Sequence, residues 1–326
     1  MTISTALTSA RRISTRRTAA LVATALTTAV VPALVTVAAA APAQASGSFP
    51  AQYSAPYLQI SSGDTGDLAA DLKASGDKYY TLAFLVPKSG CTPMWEDGNA
   101  SMTAFTSQVN SFKSAGGVVI PSFGGESGGE LAQTCTSVTS LTAAYAAVVK
   151  AYGVNRLDFD IEGDVLDDTS ANSRRDQALA ALQKADPSVQ IDFTVPVDPT
   201  GMESDATAML KDAKSKGVSV NLVNIMVMDF GAGDNPLTDS ESAAKASEKQ
   251  LASIYGGSAA QNWARLGLTP IAGQNDSPDN EVFTTGNASS LESFAASNGV
   301  QELSFWEVDG YDKGDGYAYS KIFNKI

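Results

Sequence analysis

Asn155-Arg156-Leu157-Asp158-Phe159-Asp160-Ile161-Glu162-Gly163 is the stretch that decides the fold. From Leu157 to Glu162, bulky apolar residues and carboxylates alternate strictly. A β-strand sends successive side chains to opposite faces, so Asp158, Asp160 and Glu162 share one face and Leu157, Phe159 and Ile161 the other. A row of carboxylates repels itself, and the repulsion grows with burial. One reading is the solvated edge of an antiparallel sheet. The other is a carboxylate relay in which Glu162, at the strand's C-terminal end, donates a proton.

The surrounding pattern favours the second reading. Apolar strand-like runs lie at 49–58, 80–87, 117–124, 156–163, 190–197, 222–230, 266–273 and 302–308. Ala-rich helical stretches lie between them, clearest at 101–115, 141–152, 172–185, 203–216, 240–254 and 289–298. Most helical stretches end at Gly or Asn just before the next strand, as Gly116, Gly153, Gly217 and Asn298 do. Strand and helix in alternation over this length predict a single-domain α/β fold, a (β/α)₈ TIM barrel. An open doubly wound sheet is the competing architecture, but no Gly-rich phosphate turn follows the first strand. In a barrel the active site gathers at the strand C-termini, where Asp160 and Glu162 fall.

Residues 1–45 read as a secretory signal peptide outside the fold. Arg11, Arg12, Arg16 and Arg17 form a basic start without an acid, 19–40 is apolar and small, and Ala43-Gln44-Ala45 fits a cleavage site. The apolar run is also long enough for a retained membrane anchor. The paired arginines hint at twin-arginine export without a convincing surrounding motif. Cleavage would remove four arginines and no acids, taking the formal charge from −13 to −17. Such a surface repels nucleic acid and anionic membranes and suits neutral or cationic ligands. The chain has no histidine, which removes His-dependent triads, Cys–His dyads and the usual zinc sites. No metal or cofactor motif is visible. Cys91 and Cys135 are the only cysteines, and in an exported chain a disulfide between them is the expected outcome. No heptad or exposed apolar repeat suggests assembly, so a monomer is expected.

Other strand ends carry aromatics, carboxylates or glycines: Ala55-Pro56-Tyr57, Ser122-Phe123-Gly124-Gly125, the run from Asn224 to Gly231, and Leu303-Ser304-Phe305-Trp306-Glu307. Aromatic faces at a carboxylate-lined rim suit a sugar, because they stack on pyranose rings. At these residues the chain resembles family 18 of the glycoside hydrolases, the chitinase family, along its whole length after residue 45. That family carries D-x-x-D-x-D-x-E on strand four, met here by Asn155, Asp158, Asp160 and Glu162. Its S-x-G-G matches Ser122, Gly124 and Gly125, and its strand-eight tryptophan matches Trp306. The likeness is greatest to compact bacterial chitinases. Asn155 departs from the first Asp, and Met228 stands where many relatives carry a tyrosine that holds the sugar's acetamido group.

The resemblance implies a secreted, extracellular chitinase that uses the substrate-assisted exception to two-carboxylate glycosidase chemistry. The sugar's own acetamido carbonyl attacks its anomeric carbon. Glu162 protonates the leaving oxygen and later deprotonates water. Asp160 orients the acetamido group, and Asp158 holds or shares a proton with Asp160, so that the three titrate as a coupled set. Neighbouring negative charge is expected to keep Glu162 protonated in mild acid. The resemblance also implies substrate contacts from Trp306, Asp229, Met228 and Ser122, and Tyr57 and Gln274, at or near strand ends one and seven, could line the groove. Asn275 could line the groove, Trp95 and Trp263 could be outer subsites or packing, and Asp198 could meet a hydroxyl or cap a turn. An endo-β-N-acetylglucosaminidase acting on N-glycans and a silent chitin-binding lectin are the alternatives on the same barrel. Larger relatives insert a small α+β domain between strands seven and eight, but only about 28 residues separate Gly273 from Glu302. That is too few for a domain and predicts an open groove.

Overall fold

The computed structural model describes residues 49–63, 67–127, 129–231, 235–276 and 280–326. The expected signal peptide lies outside the described residues. The first strand of the barrel is in two pieces, β1 (Tyr53–Ser54) and β2 (Tyr57–Gln59). Then follow β3 (Tyr79–Ser89), β4 (Thr92–Trp95), β5 (Ala100–Ser101), β6 (Val118–Gly124), β7 (Arg156–Asp160) and β8 (Gln190–Pro196). The last are β9 (Val220–Met226), β10 (Leu266–Thr269), β11 (Gly273–Gln274), β12 (Val282–Phe283) and β13 (Glu302–Leu303).

Parallel pairing runs from β2 through β3, β6, β7, β8, β9 and β10 to β13, and β13 pairs in turn with β1. Because β1 and β2 are one strand interrupted at Ala55-Pro56, the ring closes as the expected TIM barrel. The interruption has a local cause, since Pro56 has no N–H to give to the ladder. The chain stays in register across it: the amides of Ala55 and Tyr57 donate to the carbonyls of Leu303 and Phe305, and Thr81 N–H donates to Pro56 O.

Strand β7 is central and every residue of it is buried, which rules out the solvated edge. Its alternation divides two environments. Leu157 and Phe159 point outward to the helices, where the Phe159 ring lies between those of Phe123 and Phe193 at 5.2 and 5.9 Å, and Tyr145 of the helix Val138–Tyr152 meets it edge-on. Arg156, Asp158 and Asp160 point into the barrel. At the lower end, Arg156 donates to Tyr53 Oη, lies 3.5 Å from Asp192 Oδ2 and covers the Phe49 ring at 3.6 Å. Beside it, burial and then the charge of Asp192 push the Glu302 carboxyl up to about 8.

Several helices start earlier than expected, because their first turns are polar and capped. Val138–Tyr152, Thr169–Ala185, Pro236–Tyr255 and Thr285–Asn298 are capped by the side chains of Ser137, Asp168, Asn235 and Thr284. The stretch expected as a helix over 101–115 is helical only from Thr106 to Ser114. Residues before it are used by β4 and β5, a hairpin that continues β3 antiparallel beyond the barrel. Cys91, in the turn between β3 and β4, is disulfide-bonded to Cys135, with Cα atoms 4.5 Å apart. Between β10 and β13 the described residues form only the β11–β12 hairpin and the helix Thr285–Asn298.

Candidate active site

The carboxylate row rises through the barrel axis to its C-terminal mouth. Asp158 sits deepest, among hydroxyls from neighbouring strands. Ser122 Oγ donates to its Oδ2 at 2.5 Å, Tyr57 Oη reaches the same oxygen at 3.1 Å, and Thr194 Oγ1 donates to Oδ1 at 2.8 Å. Thr194 is held in turn by Tyr57 at 2.8 Å and by Asn224 Nδ2 at 3.2 Å, and Thr269 donates to Asn224 Oδ1 at 2.8 Å. This layer needs one inward polar residue from each of several strands, which period-two alternation supplies. Burial raises the Asp158 carboxyl to about 7, while the bonds from Ser122 and Thr194 pull the other way.

Asp160, one inward position higher, has a different setting. Among the described residues its Oδ1 is buried without a hydrogen-bond partner, and no hydrogen bond joins it to Asp158. The two carboxyls are coupled through space. Asp160 is raised well above the ordinary range, by burial first and then by the charges of Glu162 and Asp158. Its backbone carbonyl explains the two glycines of Ser122-Phe123-Gly124-Gly125. A Cβ on Gly124, at φ +104, would stand 2.0 Å from Asp160 O, and one on Gly125, at φ +84, would stand 2.7 Å from the Phe84 ring. Gly125 N–H donates to that same carbonyl at 3.1 Å.

Glu162 lies just past the end of β7, half-buried, and its carboxyl is raised to about 7. Burial is the larger cause and the charge of Glu126 the second, so neighbouring negative charge contributes in the expected direction, behind burial. A cavity of about 360 Å³ opens beside these groups. It is lined by Asp160, Glu162, Tyr57, Thr194, Met228, Asp229 and Trp306 among others. The Trp306 ring stacks on Phe84 at 5.6 Å, and the Trp306-Glu307 peptide is cis. Asp229, at φ +53, is held in the left-handed region by Asn275 Oδ1, which accepts its N–H at 3.0 Å. Glu281 accepts the N–H of Gly231 at 3.0 Å, so the loop after β9 is tied to the β11–β12 hairpin.

Asp160, Glu162, Tyr57, Met228, Asp229 and Trp306 thus meet at one cavity, and Asp158 lies directly beneath it. The expected sugar contacts of Ser122, Gln274 and Asn275 are corrected, while for Trp95, Trp263 and Asp198 the packing and turn readings are the ones found. Ser122 is fully buried under Asp158 and cannot touch a sugar; it orients the carboxylate. Gln274 does not line the cavity, and its amide donates to the carbonyls of Asn275 and Glu281. Asn275 is buried as a clamp for Asp229. Trp95 is core, with its indole N–H on Tyr152 Oη at 2.8 Å, and Trp263 packs edge-on against Phe294. Asp198 closes a backbone turn with Gly201. Sequence reasoning missed Glu126, Thr194, Asp276 and Phe84. Thr194 carried a usable signal, as an inward position of β8 facing Asp160 in register. Glu126 and Asp276 sit in loops, where no period marks an inward residue.

No family model matches the chain. A probable bifunctional chitinase/lysozyme of Escherichia coli (strain K12) is 31% identical over 279 residues, which are 80% of this chain and 31% of that protein. Endochitinase 11 of Metarhizium anisopliae is 30% identical over 276 residues, 80% of this chain and 53% of that protein. The chain therefore spans about a third to a half of the length of the curated relatives it matches. The solved catalytic domain of a hyperthermophilic chitinase from Pyrococcus furiosus is 31% identical, with a TM-score of 0.77, and the match covers 86% of this chain and 96% of that one. Catalytic-site mutants of active domain 2 of the Pyrococcus chitinase, complexed with chito-oligosaccharides, match at 30% identity and a TM-score of 0.78 over 87% of this chain and 97% of that one.

Proposed function

We propose a function from one premise: the chain belongs to the chitinase family, family 18 of the glycoside hydrolases. It hydrolyses β-1,4 bonds between N-acetylglucosamine units by substrate-assisted retaining catalysis, with chitin or its oligosaccharides as substrate. The observation that carries this reading is the buried, unpartnered Oδ1 of Asp160 beside a half-buried Glu162 whose carboxyl is raised to about 7. Glu162 is then protonated in mild acid and can give its proton to the glycosidic oxygen as that bond breaks. Asp160 offers an unsatisfied acceptor to the acetamide N–H, which turns the acetamido carbonyl towards the anomeric carbon. Trp306 and Phe84 supply an apolar wall for the sugar. Met228 takes the place of a hydroxyl donor to that acetamide, so Asp160 carries more of the orientation here than a tyrosine-bearing site would demand.

Groove shape supports endo-acting, weakly processive cleavage, because the described chain between β10 and β13 contains no wall-forming domain. The disulfide and the arginine-led apolar start support secretion into an oxidising compartment. No described helix is long and apolar enough to cross a membrane.

Incubation with N-acetylglucosamine oligomers and with a high-mannose glycopeptide, followed by mass analysis, tests the reading. Hydrolysis of the oligomers with β-anomers appearing first is expected. Glu162→Gln keeps size and sugar binding but has no proton to donate, and it should lose on the order of 10²–10⁴-fold in rate. For the wild type, the rate should fall as pH rises past about 7, where Glu162 loses its proton. Cleavage of the glycopeptide alone, or turnover retained by the Gln variant, would overturn the proposal.

A further inference from the structure

The buried charge of the barrel does not end at Asp158. The interior of a parallel barrel is ordinarily filled by bulky branched side chains. Here the layer beneath Asp158 is charged: Arg156 of β7, Asp192 of β8 and Glu302 of β13 are each at most 3% exposed. Asp192 stands in register with Asp158 on the neighbouring strand. Its Oδ1 accepts from Asn221 Nδ2 at 2.9 Å, and its Oδ2 lies 3.5 Å from Arg156 Nε. Arg156 is itself fixed. Its Nε and Nη2 donate to Gln190 Oε1 at 3.0 and 2.8 Å, its Nη1 donates to Tyr53 Oη, and the Phe49 ring lies against the guanidinium at 3.6 Å. Replacing a buried ion pair by apolar residues of similar volume is often neutral or stabilising, so stability alone does not account for this layer.

We propose that Asp192, kept ionised by Arg156, is a positioning residue of the active site: its charge, facing Asp158 from the next strand, makes that carboxyl hold a proton that it can exchange with the row above. The inference rests on the glycosidase reading above and adds a residue that never meets the sugar. A like charge disfavours ionisation of its neighbour. Burial leads the rise of the Asp158 carboxyl, the bonds from Ser122 and Thr194 oppose it, and the charge of Asp192 adds to it. Asp158 and Glu162 are thereby both brought to about 7. Groups matched in this way pass a proton within a coupled set as charge builds on the sugar. The other groups around Asp158 do not supply this charge. Tyr57 and Tyr53 are raised well above their ordinary value, burial first, and stay protonated. Asp160 is raised by burial first and then by Glu162 and Asp158. Burial and then the charge of Asp192 push Glu302 up to about 8, so it is neutral below that pH. Arg156 and Asp192 carry the standing charge beneath the row.

The test follows kcat and KM on a soluble N-acetylglucosamine oligomer over a pH series for the wild type, Asp192→Asn, Glu302→Gln and the double variant. Asp192→Asn keeps the shape of the side chain and removes its charge. It should move the acid limb of kcat to lower pH by about one unit, with KM unchanged and the alkaline limb, set by Glu162, in place. Glu302→Gln should match the wild type below about pH 8, because that carboxyl is already neutral there. The double variant should show the full shift, since no acid in the layer is then left to pair with Arg156. A merely structural role would lower the rate at every pH without moving a limb. A second measurement needs no variant: carboxyl-carbon NMR of the aspartate-labelled wild type should find Asp192 ionised throughout the range in which Asp158 titrates. An acid limb unmoved in both Asp192 variants, or an Asp192 that is neutral where Asp158 titrates, would overturn the inference while leaving the function standing. Failure of the wild type to cut the oligomer would instead remove the function itself, and this inference with it.

Discussion

Replacing Ser122 by Ala separates two roles that the sequence alone confuses. The hydroxyl is fully buried and donates to Asp158 Oδ2 at 2.5 Å. It pulls the Asp158 carboxyl down against burial, which nonetheless raises it to about 7. A hydrogen bond to a charged group contributes about 1.5–3 kcal/mol. Its loss therefore favours the neutral acid by roughly one to two pKa units. Tyr57 and Thr194 remain on the carboxyl and keep the effect towards the lower figure. Asp158, already raised to about 7, would then keep its proton through neutral pH, and there it could neither accept a proton from Asp160 nor present negative charge beneath the cationic intermediate. The expected loss in kcat is about tenfold, since 1.36 kcal/mol corresponds to one decade. KM should change little, because the hydroxyl is out of a sugar's reach. Steady-state kinetics on a soluble N-acetylglucosamine oligomer over a pH series, with circular dichroism to confirm folding, gives the answer. A raised KM with kcat intact would restore Ser122 as a sugar ligand and refute the reasoning. An unchanged kcat and pH profile would show that Asp158 does not act through its charge.

The other predictions concern stability. Buried Asp77, Asp158 and Glu302 titrate at about 6, 7 and 8, against 3.8, 3.8 and 4.5 for their ordinary values. The folded state therefore binds protons more tightly than the unfolded chain. This contribution is full below about pH 4 and is lost as pH rises through the folded values, so Tm should decline between about pH 5 and pH 8. A Tm that climbs over that interval would contradict it. The Cys91–Cys135 bond closes a loop with a sequence separation of 44. In the chain-entropy model it stabilises by about 3–4 kcal/mol, so Cys91→Ser should lower Tm by several degrees, and equal melting of both proteins would dispose of the argument.

The parts of this molecule that were legible in its sequence are those governed by a period. Alternation along Arg156–Asp160 exposes both the outward aromatic layer and the inward carboxylates, because a buried strand between two parallel neighbours leaves each side chain only two directions. The same logic hides roles within a face. Ser122 and Asp160 both point inward, yet one lies beneath the row and the other at the cavity, and only the register between β6, β7 and β8 separates them. Residues on loops have no such marker. Glu126 follows a pair of glycines required by the Asp160 carbonyl and the Phe84 ring, and nothing before the fold says which way its side chain leads. Trp95 misleads for the opposite reason. A tryptophan after a barrel strand suggests a sugar platform, but the hairpin of β4 and β5 folds it back onto Tyr152, where its indole N–H is satisfied.

The row itself is costly to bury and shows how the fold accommodates a site. Asp158, Asp160 and Glu162 are all raised by burial, so each opposes the charged form locally. Protein interiors accept such groups when hydrogen bonds or protons compensate. Here the compensation is graded along the strand. Asp158 is surrounded by the hydroxyls of Ser122, Tyr57 and Thr194, while Asp160 has an oxygen with no partner among the described residues. Satisfying Asp160 with one more hydroxyl from a neighbouring strand would be a small change in sequence. It would also fill the acceptor that a substrate amide needs. At this oxygen stability and the proposed chemistry conflict, and the fold leaves it to face the cavity.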